Sequence, residues 1–230
     1  VLIRVPIDKE AKFLEADPKL IRIAEGIYRQ LDEMGKSLDI DVATHQFILA
    51  RETSDDPVKP MLLAKRIEGN HLVPINRRNP RTLEALSRIA QLGLKYLNWI
   101  EVHRPTSVVT DIFRPDQYIV HPGKTHDQLT LVDIEPRLKD RDLGTKYVDL
   151  ELGMLVAPLR DSAHNDIFNQ YMHHAFRTLK RDPGNRGVCY FYTDALFEAS
   201  QSLKIAEHVA ILTGFFIPFA QRPETDGPLG

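Results

Sequence analysis

The chain has 230 residues, 43% of them apolar and 27% charged, and this composition excludes a disordered or low-complexity protein. Its 30 Lys and Arg against 32 Asp and Glu give a formal net charge of −2, which argues against binding to nucleic acid or to acidic membranes. The single cysteine, Cys189, cannot form an internal disulfide. We therefore expect a reducing compartment, the cytoplasm or, in a eukaryote, the mitochondrial matrix.

The predicted elements of the first third are a strand, a helix and a hairpin. Residues 1–6 are β-branched and apolar, which is typical of a buried strand. Pro18 stands at the first position of a predicted helix, and Gly35 stands where its C-cap is expected. Residues 45–52 and 60–67 are strand-like and are separated by turn residues, so they predict a hairpin.

The rest of the chain continues with longer helices and short strands. A second helix is expected to open at Asn79-Pro80, and a third at Asp161. A polar Pro-Gly linker at 181–186 places a boundary near residue 180, with one module at 1–178 and a second at 179–230. The remaining predicted elements are strands at 107–110, 118–120, 129–134 and 209–213, and a helix at 194–207.

The two ends of the sequence suggest a fragment of a longer protein. Residue 1 already lies within a predicted strand, and residues 224–230 have the composition of the middle of a loop. A complete gene product rarely begins and ends in this way. We therefore expect an α/β fold in which an α+β module precedes the start of a second, α/β domain.

Two aspartates follow neighbouring strands in the central region. Asp111 comes after the strand at 107–110, and Asp133 lies at the end of the strand at 129–134. ATP-dependent phosphoryl transfer uses one carboxylate to orient the attacking hydroxyl and a second to hold magnesium, with help from a polar side chain such as Gln117. The structural alternative is that both aspartates are ordinary caps or turn residues.

The order of these elements resembles the protein-kinase-like superfamily, including its aminoglycoside-phosphotransferase-like branch. The strand at 1–6, the helix from Pro18 and the hairpin are similar to the N-lobe, with Ile67-Glu-Gly69 as its hinge and Tyr147-Val-Asp-Leu150 as a later segment. The resemblance covers about residues 1–178.

This resemblance implies specific roles. Magnesium and ATP would bind in the first module, with Asp111 as the catalytic residue and Asp133 as the magnesium ligand. Arg4, Glu25 and Gln117 would be the cofactor-binding residues. Arg4 stands where the family has lysine, and Gln117 lies one place beyond the usual asparagine. The glycine-rich loop would precede residue 1. The module is therefore either a phosphotransferase for a small hydroxyl compound or a non-catalytic pseudokinase that serves for docking.

Three motifs near the end occur in the order of a second family. They are Asp182-Pro-Gly-Asn-Arg-Gly-Val188, Ile211-Leu-Thr-Gly-Phe-Phe-Ile-Pro218 and Glu224-Thr-Asp-Gly-Pro-Leu-Gly230. Together they resemble the N-terminal part of the D-glutamate cyclase-like domain. The family's reaction interconverts D-glutamate with 5-oxo-D-proline and water, so the resemblance implies a hydro-lyase acting on a small amino acid.

The residues of these motifs suit a small-molecule site. Thr213 and Gly214 would end a strand at the sheet edge where α/β proteins bind ligands. The loop at 224–227 offers two carboxylates, a hydroxyl and backbone N–H groups, and could bind either a divalent cation or a substrate carboxylate. Its composition is also that of an ordinary surface turn.

The resemblance assigns the residues of the tail as follows. Glu224 and Asp226 would be catalytic, each as acid, base or metal ligand. The expected substrate-binding residues are Thr213, Gly214, Thr225 and Gly227.

Histidines are grouped in a predicted helix but do not have the spacing of metal ligands. His173 and His174 are adjacent, so they point about 100° apart on a helix, and His164 lies further along the chain. We expect all three side chains to face solvent.

Overall fold

The computed structural model describes residues 2–4, 18–43, 45–50, 54, 59–64, 67–72, 79–123, 126–132 and 137–181. These residues combine helices with mixed β-sheets, as the predicted α/β class requires. No helix within these ranges has the length and apolarity needed to cross a membrane.

The described residues form four α-helices of 16 to 24 residues: α1 (Pro18–Lys36), α2 (Pro80–His103), α3 (Arg141–Val156) and α4 (Asn165–Arg181). The helices predicted from Pro18 and from Asn79-Pro80 are confirmed. In α2 the Asn79 side chain accepts a hydrogen bond from the Arg81 N–H at 3.0 Å, and Arg104 ends the helix in the left-handed region. The sequence did not predict α3.

Two helix ends differ from their predictions. Gly35 lies inside α1 rather than at its C-cap, and the left-handed residue is Asp39 with φ 50°. Gly35 is instead a point of close approach, because a Cβ there would collide with the Ile40 carbonyl. The helix predicted to open at Asp161 is confirmed as α4, but it begins four residues later, at Asn165. Before it, Ser162 accepts a hydrogen bond from the His164 N–H at 3.0 Å, and such local turn bonds use the backbone groups that a helix needs.

The strands form three separate sheets. β1 (Leu2–Arg4), β3 (His45–Ala50) and β4 (Lys59–Ala64) form an antiparallel sheet in the order β1-β4-β3, which confirms the predicted hairpin. The second sheet has the order β2-β8-β7-β5, and its strands are β2 (Ile40–Val42), β5 (Asn70–His71), β7 (Tyr118–His121) and β8 (Gln128–Leu131). A third sheet pairs β6 (Ser107–Thr110) with β9 (Arg137–Asp140).

The second sheet joins parts of the chain that are distant in sequence. β2 follows α1 and runs parallel to β8, with Ile40 opposite Leu129, whereas the other pairs of this sheet are antiparallel. The strand from the first third is therefore part of the same sheet as the β7–β8 hairpin.

Helices α2 and α3 pack closely at the centre of the core. Ile89, Leu92 and Tyr96 of α2 are fully buried, as is Leu152 of α3. Gly93 makes the close approach possible, since a Cβ at this position would overlap the Leu152 side chain. This packing fixes α3 beneath the loop that follows β6.

Candidate functional site

The first candidate site is the loop that follows β6 and begins with Asp111. Asp111 has a φ of 66°, in the left-handed region that costs a residue with a side chain about 1 kcal/mol or more. The loop continues to a short 3-10 turn, Pro115–Gln117, and then enters β7. A residue stays in this conformation only where its surroundings hold it there.

Glu151 of α3 supplies that support. Its Oε1 accepts a hydrogen bond from the Asp111 N–H at 2.6 Å, and its Oε2 accepts one from the Phe113 N–H at 3.1 Å. Glu151 is only 8% exposed. Its burial raises the pKa of the carboxyl, and the backbone donors of the loop oppose that shift. One carboxylate thus fixes two backbone positions of the loop.

The Asp111 carboxylate reaches the surface of the loop. Its side chain is 19% exposed, and Oδ1 lies 3.4 Å from Nη1 of Arg114. Arg114 also pairs with Asp116, through Nη2 to Oδ2 at 2.6 Å, and this hydrogen bond raises the pKa of the guanidinium. Asp111 therefore lies within reach of solvent and beside a cation.

Gln117 lies near the chain that leads to Asp133. Its side chain is buried, 5% exposed, and its backbone carbonyl accepts a hydrogen bond from the Val132 N–H at 2.9 Å. Asp133 itself lies outside the described residues. The roles predicted for the pair, Asp111 as the catalytic residue and Asp133 as the magnesium ligand, therefore stay predictions. Among the residues that are described, no three His, Cys, Asp or Glu side chains form a group suited to a metal ion.

The other cofactor-binding residues predicted from the sequence lie in the first third. The backbone of Arg4 pairs with Leu62 in the antiparallel sheet, and its side chain is outside what the structure describes. Glu25 lies in α1 and is half-buried. The cofactor-binding roles predicted for Arg4 and Glu25 are therefore untested.

The residues predicted from the tail all lie outside the described residues, since description ends at Arg181. They comprise the catalytic Glu224 and Asp226 and the substrate-binding Thr213, Gly214, Thr225 and Gly227. The roles that the resemblance implies for them stay predictions.

Two of the three histidines that were predicted to face solvent are partly buried. His173 is exposed, as predicted, but His164 is half-buried and the His174 side chain is only 17% exposed. Its Nε2 lies 2.8 Å from Oδ1 of Asp149, which is itself 2% exposed. The prediction failed for His174 because its partner lies on another helix, 25 positions away in the sequence.

Sequence reasoning also missed Glu151. The signal for it was present as an acidic residue in the apolar run Val148–Val156, because a buried carboxylate needs hydrogen-bond donors. Asp149 gives the same signal, and its partners are His174 and, through its backbone carbonyl, the Tyr171 hydroxyl at 2.9 Å.

Comparison with protein-family models matches residues 177–230 to the family described as D-glutamate cyclase-like, C-terminal. The matched segment covers less than a quarter of the chain and begins within the last turns of α4. No curated protein and no solved structure matches the chain. The chain is thus similar to the cyclase-like family in its last part.

Proposed function

We propose that the protein carrying this chain is a hydro-lyase of the D-glutamate cyclase type, and that residues 177–230 contribute to its active site. The observation that supports the proposal is the family match to this segment, which includes all three sequence motifs of the tail. The substrate would be D-glutamate, and the product 5-oxo-D-proline.

The reaction makes definite demands on the site. The α-amine of D-glutamate attacks its own side-chain carboxyl carbon, so a C–N bond forms, a C–O bond breaks and water leaves. The attack is intramolecular, so positioning of the chain and stabilisation of the oxyanion are the main tasks of the protein. A general acid must protonate the departing oxygen. Glu224 and Asp226 are the proposed carboxyl groups for proton transfer or for holding a divalent cation.

The test is turnover in the full-length protein. Purified wild type is assayed for 5-oxo-D-proline formed from D-glutamate, and for the reverse reaction. Glu224→Gln and Asp226→Asn are each compared with Glu198→Gln, which removes a carboxylate from the same segment outside the three motifs. We expect at least one of the two motif variants to lose about 100-fold or more in kcat, the usual size of a proton-transfer contribution, and the control to keep its rate. Full turnover in both motif variants would remove these residues from the mechanism.

A second candidate function concerns the loop at Asp111. The observation that favours it is the support of Asp111 by Glu151, together with the proximity of the Gln117 backbone to Val132, the residue before Asp133. This arrangement supports the kinase-like interpretation, in which Asp111 orients a hydroxyl and Asp133 holds magnesium bound to ATP. A docking module that has lost catalysis is the alternative use of the same loop.

Nucleotide binding and hydrolysis separate these alternatives. The chain is titrated with ATP in the presence and absence of magnesium, and phosphate release is followed. A phosphotransferase should bind magnesium-ATP, and Asp111→Asn should lower its turnover about 100-fold or more. Asp116→Asn, in the same loop and also paired with Arg114, is the matched control. Absence of nucleotide binding by the wild type would leave the docking role.

A further inference from the structure

The second feature of interest is a cleft on the opposite side of α3 from the Asp111 loop. The C-terminal end of α2, the first turns of α3 and the C-terminal half of α4 enclose a volume of about 430 Å³. A smaller cavity of about 270 Å³ adjoins it between α2 and α4, and both are lined by Glu101 and His174. We call the larger volume the basic cleft.

Positive charge exceeds negative charge in the basic cleft. Four cations line it, and they face two carboxylates, Glu101 and Asp142. Arg181 pairs with Glu101, and Nε of Arg141 lies 3.0 Å from Oδ1 of Asp142. The two other cations, Arg104 and Lys146, have no ion pair within the part of the chain that the structure describes.

Among the described residues this leaves two unpaired positive charges at the cleft, although the formal net charge of the whole chain is −2. Like charges gathered on one surface repel one another, and a bound anion removes that repulsion. A local excess of one sign also raises the concentration of ligands of the other sign.

His174 gives the cleft a fixed polar wall. Its Nε2 is held 2.8 Å from Asp149, and its Nδ1 hydrogen-bonds to none of the described residues. Because Asp149 is buried, the imidazole cannot rotate without leaving that carboxylate unpaired. The ring therefore presents a constant edge towards both cavities.

We propose that the basic cleft binds a small dianion. Phosphate esters and dicarboxylates both belong to this class, because each carries two negative charges. The two cations that lack an ion pair among the described residues match two negative charges, and the guanidinium of Arg104 can bind an anion through two parallel N–H groups. The volume lies in the range of small-molecule sites. Thr178 and Arg181 line the cleft and belong to the cyclase-like segment that begins at residue 177, so a bound dianion would hold this segment against α2 and α3.

The test uses the whole 230-residue chain and two separate probes, inorganic phosphate and succinate, at an ionic strength held constant with NaCl. Calorimetric titration should show saturable binding of one equivalent of at least one probe. Arg104→Gln and Lys146→Gln should each weaken that binding about tenfold, the effect of losing one charge-assisted hydrogen bond. Tighter binding of phosphate would identify a phosphate ester as the ligand class, and tighter binding of succinate would identify a dicarboxylate.

Arg29→Gln is the matched control, because it removes one positive charge from an exposed position of α1 outside the cleft. It should leave the dissociation constant unchanged. All three side chains are exposed, so circular dichroism should confirm that each variant folds. Absence of saturable binding of both probes, or equal weakening by Arg29→Gln, would overturn the proposal. The cleft uses neither Asp111 nor the tail motifs, so its failure leaves the proposed hydro-lyase function untouched.

Discussion

Two buried carboxylates of α3, only two residues apart, form hydrogen bonds on opposite sides of this helix and in different ways. Glu151 accepts hydrogen bonds from the backbone of the Asp111 loop with both of its oxygens. Asp149 pairs with the side chain of His174 through one oxygen, and its buried Oδ2 has no hydrogen-bond partner among the described residues. The first arrangement fixes a backbone, and the second fixes one side chain beside a cleft.

The difference shows how the cost of burying a carboxylate is met. Backbone N–H groups cannot move away from Glu151 without remodelling the loop, and they would be left unpaired in the interior if it were lost. His174 is a side chain at a partly open surface, so water can replace Asp149 as its partner. We therefore expect that removing the Glu151 carboxylate lowers the free energy of unfolding more than removing the Asp149 carboxylate.

The largest effect is expected from Glu151→Ala. The change leaves the N–H groups of Asp111 and Phe113 unpaired and should lower the free energy of unfolding by about 3 kcal/mol. Urea denaturation measures this decrease. As a control, Glu33→Ala at an exposed position of α1 should lower the free energy of unfolding by less than about 0.5 kcal/mol. A loss from Glu151→Ala no greater than that of this control would show that the loop does not depend on the carboxylate.

A smaller loss is expected on the other side of α3. Asp149→Ala removes the partner of His174 but also removes the unpaired Oδ2, and we expect a cost of about 1–2 kcal/mol in the same urea experiment. If Asp149→Ala lowered the free energy of unfolding more than Glu151→Ala, the expected order of the two carboxylates would be contradicted.

Two tyrosines near the Asp111 loop sharpen the comparison further. The Tyr96 hydroxyl accepts a hydrogen bond from the Val109 N–H at 3.0 Å, whereas the buried hydroxyl of Tyr118 has no hydrogen-bond partner in the part of the chain that the structure describes. Tyr96→Phe should therefore cost about 1 kcal/mol, and Tyr118→Phe should be neutral or slightly stabilising. Thermal unfolding of the two variants side by side measures the difference. An equal decrease in stability for Tyr96→Phe and Tyr118→Phe would mean that the hydrogen bond from β6 to Tyr96 contributes nothing.

The smallest expected effect is a dependence of the free energy of unfolding on pH. Burial raises the pKa of Glu151 above its ordinary value of 4.5, so the folded protein still binds a proton that the unfolded chain has lost. The contribution of Glu151 to stability therefore falls as the pH rises from about 4.5 through the raised pKa, and it is level above that pKa.

Glu151→Gln isolates this contribution because the amide does not titrate. The free energy of unfolding of the wild type minus that of Glu151→Gln should decrease with rising pH over the same window. An increase over that window would show that the backbone donors outweigh burial and lower the pKa.

The regular helices were predictable because their packing is recorded in a local pattern. Leu86, Ala90 and Leu97 repeat at helical spacing in α2, and all three are buried. The helix α3 has no such stripe. It contains Gly144 and Gly153 and buries two carboxylates, so its sequence lacks the usual separation of apolar and polar faces.

The site was predictable only where its residues are close in sequence. Asp111 could be placed at a strand end from the β-rich run before it. Its supporting carboxylate, Glu151, lies 40 residues later, and β2 pairs with β8 across an even longer separation, with Ile40 opposite Leu129. Such pairings depend on tertiary packing rather than on local propensity, so neither could be inferred from one sequence.

We propose the hydro-lyase reaction for the tail and a separate role for the Asp111 loop. The most direct test measures 5-oxo-D-proline formation from D-glutamate by the full-length protein, with Glu224→Gln, Asp226→Asn and Asp111→Asn assayed in parallel. We expect wild-type turnover that falls about 100-fold or more in at least one tail variant and is retained in Asp111→Asn. Absence of turnover in the wild type, together with magnesium-dependent ATP hydrolysis that Asp111→Asn abolishes, would contradict the account.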